Sequence, residues 1–311
     1  MLDGEKSQHH IYGIILAVIA IIALGGIVYV VSSADDVGQQ VTINNTDPTI
    51  TIAAYSDAEC TSALSTLTLT EGTTSGTIYF CGTATDLNGE DEIDTAAQYD
   101  FSFYDSTDKN PTSSADDNDC YKQAAGEGIV LSNCSGTTCD YTVTMNDVKF
   151  HAEPTAVWKA TMKVTDDNTA FATATTSNIS IPELVAFSVT SSVNFGSVSL
   201  GGTSSQQTAT FTNLGNVIAD ASQTASGAMT CTTIGSIPVG NVKRSFSDAF
   251  AYGDGVALTA TSTSITDASI AKPTASPSNQ TKSMYFLIQI PSNGVAGTCS
   301  NTVTFTAESN T

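Results

Sequence analysis

The pattern of hydrophobic and polar positions changes sharply after residue 31. From Ile11 to Val31, 21 consecutive residues carry neither a charge nor a strongly polar side chain. A helix of that length covers roughly 30 Å, which is the thickness of the hydrocarbon core of a bilayer. Because the run is apolar on every side, an amphipathic helix of a soluble core fits it poorly. The pattern therefore predicts a membrane-length helix over residues 11–31.

The residues flanking this run predict its orientation. Lys6 and two histidines precede it, whereas Asp35 and Asp36 follow it. Because positive residues favour the cytoplasmic side, residues 1–10 are expected inside the cell and the rest of the chain outside. A permanent anchor, a cleaved signal peptide and a pilin-like filament helix remain alternatives. The run is longer than the apolar region of a signal peptide, and a basic–Gly cleavage motif of the pilin type does not precede it.

After a polar stalk predicted at residues 32–40, the pattern becomes that of short strands separated by turns. In residues 157–165, Trp158 begins an apolar alternation that faces away from Lys159 and Lys163, as in a half-buried strand. Many short strands at this spacing are typical of an antiparallel β-sandwich. The strands predicted before residue 184 are 41–44, 49–55, 66–70, 76–85, 99–104, 141–145, 157–165 and 171–181.

The chain changes character near residue 183, where the acid-rich loops end. Strands separated by glycine turns then follow over residues 189–217, and two strong strands flank the turn at residues 294–297. Residues 245–281 are rich in Ser and Thr and poor in bulky apolar side chains, so a long irregular loop is predicted there. The expected fold is all-β, with two immunoglobulin-like sandwiches in tandem at 41–183 and 184–311 after a single N-terminal helix.

Two stretches carry a family resemblance. The turn from Asp86 to Gly89 and the strand and turn from Trp158 to Asp166 resemble the polycystic-kidney-disease-type immunoglobulin-like modules of archaeal and bacterial surface proteins. The sequence "VNFGSVSLGGTSSQQTATFTNLGN" is similar to short immunoglobulin-like folds joined by FG-x-V-x-x-G. Combined with an N-terminal membrane segment, these modules resemble archaeal cell-envelope proteins. The resemblance implies a fold and a location more than an activity.

Composition narrows the classes of partner. The chain has 31 acidic and 10 basic side chains and a formal charge of −21, so nucleic acid and anionic lipid would repel its outer part. Arg244 is the only arginine, which disfavours guanidinium clamps for phosphate or carboxylate. A strongly acidic surface suits water, divalent cations or a salty medium.

The seven cysteines and four sequons favour an oxidising, exterior location. The expected disulfides are Cys60–Cys81 and Cys231–Cys299, with a third bond between two of Cys120, Cys134 and Cys139. Metal binding by these thiols is disfavoured, because no second cysteine pair or histidine lies at metal-site spacing. The candidate glycosylation sites are Asn44, Asn133, Asn178 and Asn279.

The sequence offers little catalytic chemistry. His151 is the only histidine after the apolar run, and it is expected at the surface at a strand end. No nucleophile elbow, phosphate-binding glycine loop or zinc-protease helix motif is present in the sequence. Neither catalytic nor cofactor-binding residues are therefore predicted.

Two acidic loops form a candidate calcium site. They would lie at the same end of an immunoglobulin-like sandwich, where carboxylates and amide carbonyls could supply the six to eight oxygens that Ca²⁺ requires. The alternative is a pair of ordinary solvated turns, because turns use Asp, Asn and Gly in any case and the spacing matches no 12-residue calcium loop. The candidate ligands are Asp86, Asn88, Asp91, Glu92, Asp94, Asp166 and Asp167.

Together these patterns predict a non-enzymatic structural or adhesive protein of the cell surface. It is expected to cross the membrane once, with its N-terminus inside and its C-terminus outside. The expected partners are membrane lipid through the helix and other envelope proteins or copies of itself, but not nucleic acid. One alternative is a pilin-like subunit of an extracellular filament with the helix in its core. Another is an anchored or secreted hydrolase, for which the sequence offers no catalytic constellation.

Overall fold

The computed structural model describes residues 28–31, 37–74, 76–275 and 280–310, and the chain divides into two units after Thr46. In the first unit, strand β1 (Val28–Val31) pairs antiparallel with strand β2 (Val37–Gln40). The second unit, residues 47–311, contains all the other strands of the described residues.

This hairpin corrects the predicted N-terminal elements. The helix predicted at 11–31 lies outside the described residues up to residue 27, and its last four residues form β1. Residues 37–40 of the predicted stalk form β2. The sequence VYVV is β-branched and aromatic, which favours a strand as soon as a partner strand supplies the backbone hydrogen bonds. Within the described part of the chain, no helix is both long and apolar enough to cross a membrane.

Residues 47–181 form a β-sandwich of two antiparallel sheets. The β5 sheet has the order β3-β5-β9-β8, with β4 also pairing with β5, and the β10 sheet has the order β11-β10-β6-β7. Two 3₁₀ helices, Glu90–Glu92 and Ala96–Gln98, lie between β5 and β6. The strands are β3 (Thr49–Ile50), β4 (Ala53–Tyr55), β5 (Ile78–Thr85), β6 (Tyr99–Asp105), β7 (Cys120–Gln123), β8 (Ile129–Ser135), β9 (Thr138–Met145), β10 (Trp158–Thr165) and β11 (Phe171–Thr175).

Aromatic side chains hold these two sheets face to face. Phe80 of the β5 sheet lies with its ring centroid 4.9 Å from that of Phe101 and 5.6 Å from that of Phe103, both on the β10 sheet. Trp158 is fully buried beside Phe103. The predicted alternation of β10 is confirmed, since Trp158, Ala160, Met162 and Val164 are all fully buried.

The strands after residue 186 form three further antiparallel sheets. Their orders are β12-β13-β20-β17-β18, β19-β14-β22 and β16-β15-β21. Two more 3₁₀ helices, Val239–Asn241 and Tyr252–Asp254, flank β17. The strands are β12 (Phe187–Val189), β13 (Gln207–Asn213), β14 (Ala219–Ala225), β15 (Met229–Cys231), β16 (Ser236–Ile237), β17 (Val242–Ser245), β18 (Val256–Ala257), β19 (Thr263–Ile270), β20 (Thr281–Ile288), β21 (Cys299–Ser300) and β22 (Val303–Ser309).

A second hydrophobic core lies between these sheets. Phe211 of β13 meets Phe305 of β22 edge to face, with ring centroids 5.1 Å apart. Arg244, the single arginine, is buried in β17, where its Nε donates a hydrogen bond of 2.9 Å to Oε1 of Gln223. The Arg244 guanidinium therefore forms its hydrogen bond in the interior of the fold and is not available to bind a ligand at the surface.

Two predicted strands and one predicted loop differ from the structure. Residues 41–44 form no strand, and Val41 is 80% exposed. The segment 66–70 also lacks a regular strand, although Leu67 and Leu69 are buried. The predicted loop at 245–281 contains β18 and the eight-residue β19. Of the described side chains in β19 only Ile265, Ala268 and Ile270 are buried, and polar residues separate them, so the sequence shows no continuous apolar run there.

The two cores lie on either side of residue 183, and hydrogen bonds cross between them. Nδ2 of Asn216 donates to the carbonyl of Pro182 at 3.0 Å, and Lys272 forms a salt bridge with Glu153. Residues 47–311 form one compact unit. The domain boundary between residues 183 and 184 therefore stays a prediction.

Three disulfides tie the β-structure together. Cys60 bonds to Cys81, and Cys231 bonds to Cys299, both as expected. Cys134 bonds to Cys139, which leaves Cys120 as the free, buried thiol of the three alternatives. Burial raises the pKa of the Cys120 thiol, which keeps it protonated and unreactive.

Candidate functional site

Two strands of equal length bring the acidic loops together. β5 and β10 belong to opposite sheets of the first sandwich, and each spans eight residues. Asp86 directly follows β5, and Asp166 directly follows β10. One oxygen of each carboxylate lies within 4.8 Å of the other, so both residues lie at the same end of the sandwich.

Three carboxylates converge at this end. One carboxylate oxygen each from Asp86, Glu92 and Asp166 lies within 4.8 Å of the other two. Asp86 is fully buried and Asp166 is 4% exposed, while Glu92 is partly exposed. Two unit charges 4 Å apart repel by about 1 kcal/mol in water and by about 4 kcal/mol near a protein surface. A cation bound among these oxygens would offset that repulsion.

The Asp86 side chain is held by the turn that follows it. Its Oδ1 accepts a hydrogen bond from the backbone N–H of Asn88 at 2.8 Å, and its own N–H donates to the carbonyl of Thr137 at 2.8 Å. Gly89 then adopts a φ of +134°, which only glycine adopts easily, and leads into the 3₁₀ helix Glu90–Glu92. Oδ2 of Asp86 is buried and has no hydrogen-bond partner among the described residues.

The second loop is the hairpin between β10 and β11. Oδ1 of Asp166 accepts a hydrogen bond from the backbone N–H of Ala170 at 2.8 Å. Nδ2 of Asn168 donates to Oε2 of Glu92 at 2.7 Å, which joins the hairpin directly to the first loop. The predicted proximity of the two loops is therefore confirmed.

Gln98 makes a second link that the sequence-based prediction missed. Its Nε2 donates to the carbonyl of Glu92 at 2.6 Å and to Oδ1 of Asp167 at 2.7 Å. Its Oε1 accepts from the backbone N–H of Thr95 at 2.9 Å. The Thr-x-x-Gln spacing from Thr95 to Gln98 is the sequence signal for this arrangement, because it is typical of a capping box.

The other predicted ligands lie outside this group of three carboxylates. Asn88, Asp91, Asp94 and Asp167 are all exposed. Oδ1 of Asp94 accepts a hydrogen bond from the Thr95 hydroxyl, and Asp167 accepts the one from Gln98. Their assignment as cation ligands stays a prediction.

A second acidic cluster differs because it contains its own cation. Nζ of Lys109 lies 3.0 Å from Oδ2 of Asp116 and 3.2 Å from Oδ1 of Asp119. Desolvation and the neighbouring Asp116 raise the pKa of Asp119 to about 6. No salt bridge to Asp86 occurs within the described ranges. Lys109 therefore balances the charge of the second cluster, whereas no described lysine or arginine balances the charge of Asp86.

His151 is buried, which corrects the prediction of a surface position. It lies in the turn region before β10, with its ring edge-to-face against Phe150 at a centroid distance of 5.1 Å. Among the described residues neither ring nitrogen has a hydrogen-bond partner. The apolar packing of its ring outweighs the polar neighbours that suggested exposure in the sequence. No nucleophile in the described ranges is hydrogen-bonded to this imidazole.

The buried His151 predicts a pH-dependent stability. Burial lowers its pKa below the usual value of 6.5, with Asp117 opposing the shift and Lys272 and Lys149 adding to it. The unfolded chain therefore binds a proton below about pH 6.5 that the folded chain does not, so this contribution to stability is present above that pH and is lost below it. Between about pH 7.5 and about pH 5.5, the free energy of unfolding measured in urea should fall more in the wild type than in His151→Leu. Equal losses in the two proteins would contradict this assignment.

Three sequons lie within the described residues and are exposed: Asn44, Asn133 and Asn178. Nδ2 of Asn133 donates to Oδ2 of Asp140 at 3.1 Å, so glycosylation there would have to displace this bond. Asn279 lies outside the described residues.

The fold and the three disulfides place this chain in the class of disulfide-bonded, all-β proteins built from several antiparallel sheets. No family model matches the sequence, and no curated protein matches it either. The resemblance to polycystic-kidney-disease-type modules and to archaeal envelope proteins accordingly stays a prediction.

Two solved structures show a distant likeness. One is the chaperone–tip adhesion subunit pre-assembly complex CsuC–CsuE from archaic chaperone-usher Csu pili of Acinetobacter baumannii, at 13% identity and a TM-score of 0.37, covering 79% of this chain and 97% of that chain. The other is the adhesin InvE of Yersinia pseudotuberculosis, at 15% identity and a TM-score of 0.25, covering 84% of this chain and 55% of that one. Likenesses this weak do not establish a shared function.

Proposed function

We propose that this chain is a non-enzymatic structural or adhesive protein displayed on the outer face of a cell. The three disulfides carry the proposal, because such bonds form and persist in oxidising compartments and are rare in the cytosol. The sandwich cores and the acidic charge support it, since they suit a stable module in water. The apolar run before residue 32 supports an anchor in the membrane with the sheets outside.

The surface location is testable by counting thiols in the protein taken from its own envelope fraction. Denatured but unreduced protein should accept one polyethylene-glycol maleimide, at Cys120, whereas reduction should expose all seven cysteines. Cys120→Ser is the control and should accept none before reduction. Protease added to intact cells should degrade the sheets.

Seven reactive thiols without reduction, together with protection from external protease, would refute the surface proposal. The mode of release then separates the two structural roles. An anchored protein should need detergent for release. A filament subunit should come off by shear, in fibres that contain this chain.

A further inference from the structure

We propose that Asp86, Glu92 and Asp166 form a Ca²⁺ site that joins the two sheets of the first sandwich. The site goes beyond the proposed surface role and does not depend on it. Its two structural supports are the spacing of the three carboxylates and the unpartnered buried oxygen of Asp86.

The spacing matches a single ion of the size of calcium. Ca²⁺ binds oxygen at about 2.3–2.6 Å, so two ligands on opposite sides of one ion are about 4.8 Å apart. The three carboxylate oxygens lie within 4.8 Å of one another, so one ion can reach all of them. They come from two loops on opposite sheets, so the ion would crosslink the end of the sandwich.

The orphaned oxygen of Asp86 points to a missing partner. Oδ2 is buried, and no described residue donates a hydrogen bond to it. Burying an ionised carboxylate without a partner is costly, so buried charges are normally paired or bound to metal. Oδ1 is already used by the backbone N–H of Asn88, which fixes the direction of the carboxylate. A bound cation would satisfy the remaining oxygen.

The other two carboxylates are also positioned before any ion binds. Asp166 is fixed by the N–H of Ala170, and Glu92 is fixed by the amide of Asn168. Such preorganisation reduces the cost of ordering ligands on binding. Because the group contains only carboxylates, it suits a hard cation better than zinc or copper.

Calcium fits this site better than magnesium. Mg²⁺ demands near-ideal octahedral geometry at about 2.0–2.1 Å, whereas Ca²⁺ accepts six to eight oxygens in flexible geometry. Loop carbonyls and water would complete the calcium shell. Extracellular calcium modules bind with Kd values of about 0.1–1 mM, which is the range expected for an open site with three carboxylates.

The test is calcium titration of the full-length chain, purified in a mild detergent and stripped with EDTA. Saturable heat in calorimetry and a rise in Tm are expected at up to about 10 mM Ca²⁺. Asp86→Asn keeps the volume and the Oδ1 acceptor but loses the charge, and it should weaken binding at least about tenfold. Glu92→Gln and Asp166→Asn should weaken binding in the same way.

Glu90→Gln is the matched control, because Glu90 lies in the same 3₁₀ helix as Glu92 and outside the group. It should keep the calcium response. In EDTA, Asp86→Asn should melt at or above the wild-type Tm, which shows that its lost response is not a folding defect.

Three results would overturn the site: no response in the wild type, equal loss in Glu90→Gln, or an unchanged response in Asp86→Asn. An equal affinity for Mg²⁺ would overturn the assignment to calcium. The calcium titration measures ion binding to purified protein, whereas the thiol count and the protease test measure oxidation state and location in the cell, so either proposal can fail while the other stands.

Discussion

Replacing Trp158 by alanine is expected to lower the free energy of unfolding by about 3–5 kcal/mol. Trp158 is fully buried, and its ring centroid lies 4.8 Å from that of Phe103 and 5.9 Å from that of Tyr121. Its Nε1 donates a hydrogen bond of 2.9 Å to the carbonyl of Glu153, which the substitution would remove as well. Urea unfolding followed by far-UV circular dichroism measures the loss, since the variant has no tryptophan left for fluorescence.

Phe171→Ala is the matched control for this prediction. Phe171 is an aromatic residue on β11, the strand next to β10, and it is 59% exposed. Its contacts include Lys163, whose Nζ lies 4.9 Å from the ring centroid, so a loss below about 1 kcal/mol is expected. Comparable losses in the two variants would show that Trp158 does not anchor the core.

The sequence predicted β10 because large apolar side chains alternate there with lysines. The same reasoning failed at β19, where Ile265, Ala268 and Ile270 are the buried residues and a shift in register interrupts the alternation. At residues 41–44 the same reasoning predicted a strand that does not form, because a β-branched run forms a strand only where another strand is available to pair with it. Strand pairing is a tertiary property, which a local pattern does not contain.

The sequence predicted the two loops and named Asp86, Glu92 and Asp166 among its seven candidate ligands, but it did not separate these three from the other four. The sequence could place Asp86 and Asp166 after strands and could predict that their loops meet. Selecting Glu92 over Asp91 required the direction of each side chain in the 3₁₀ turn Glu90–Glu92, since adjacent residues there point to different sides. Burial also separates Asp86 from its neighbours, because the facing sheets enclose the first residue after β5 while the residues beyond it reach solvent.

Removing the Cys231–Cys299 disulfide is expected to cost about 4 kcal/mol of stability. The bond closes a segment whose ends are 68 residues apart, and it lies between paired positions of β15 and β21. Reduction or substitution frees this long loop in the unfolded chain, so the unfolded state gains entropy. The double variant Cys231→Ala and Cys299→Ala should therefore unfold at a much lower urea concentration than the wild type.

The Cys134–Cys139 bond provides an internal comparison, because its cysteines are only five residues apart. Loop-closure entropy assigns it about 2 kcal/mol, roughly half the effect of the long crosslink. Both double variants keep the other disulfides and leave no new free thiol, so the urea midpoints can be compared directly. Equal losses of stability in the two variants would contradict the dependence on loop length. Local packing around the sulfurs, and not restriction of the unfolded chain, would then account for the effect of the Cys231–Cys299 bond.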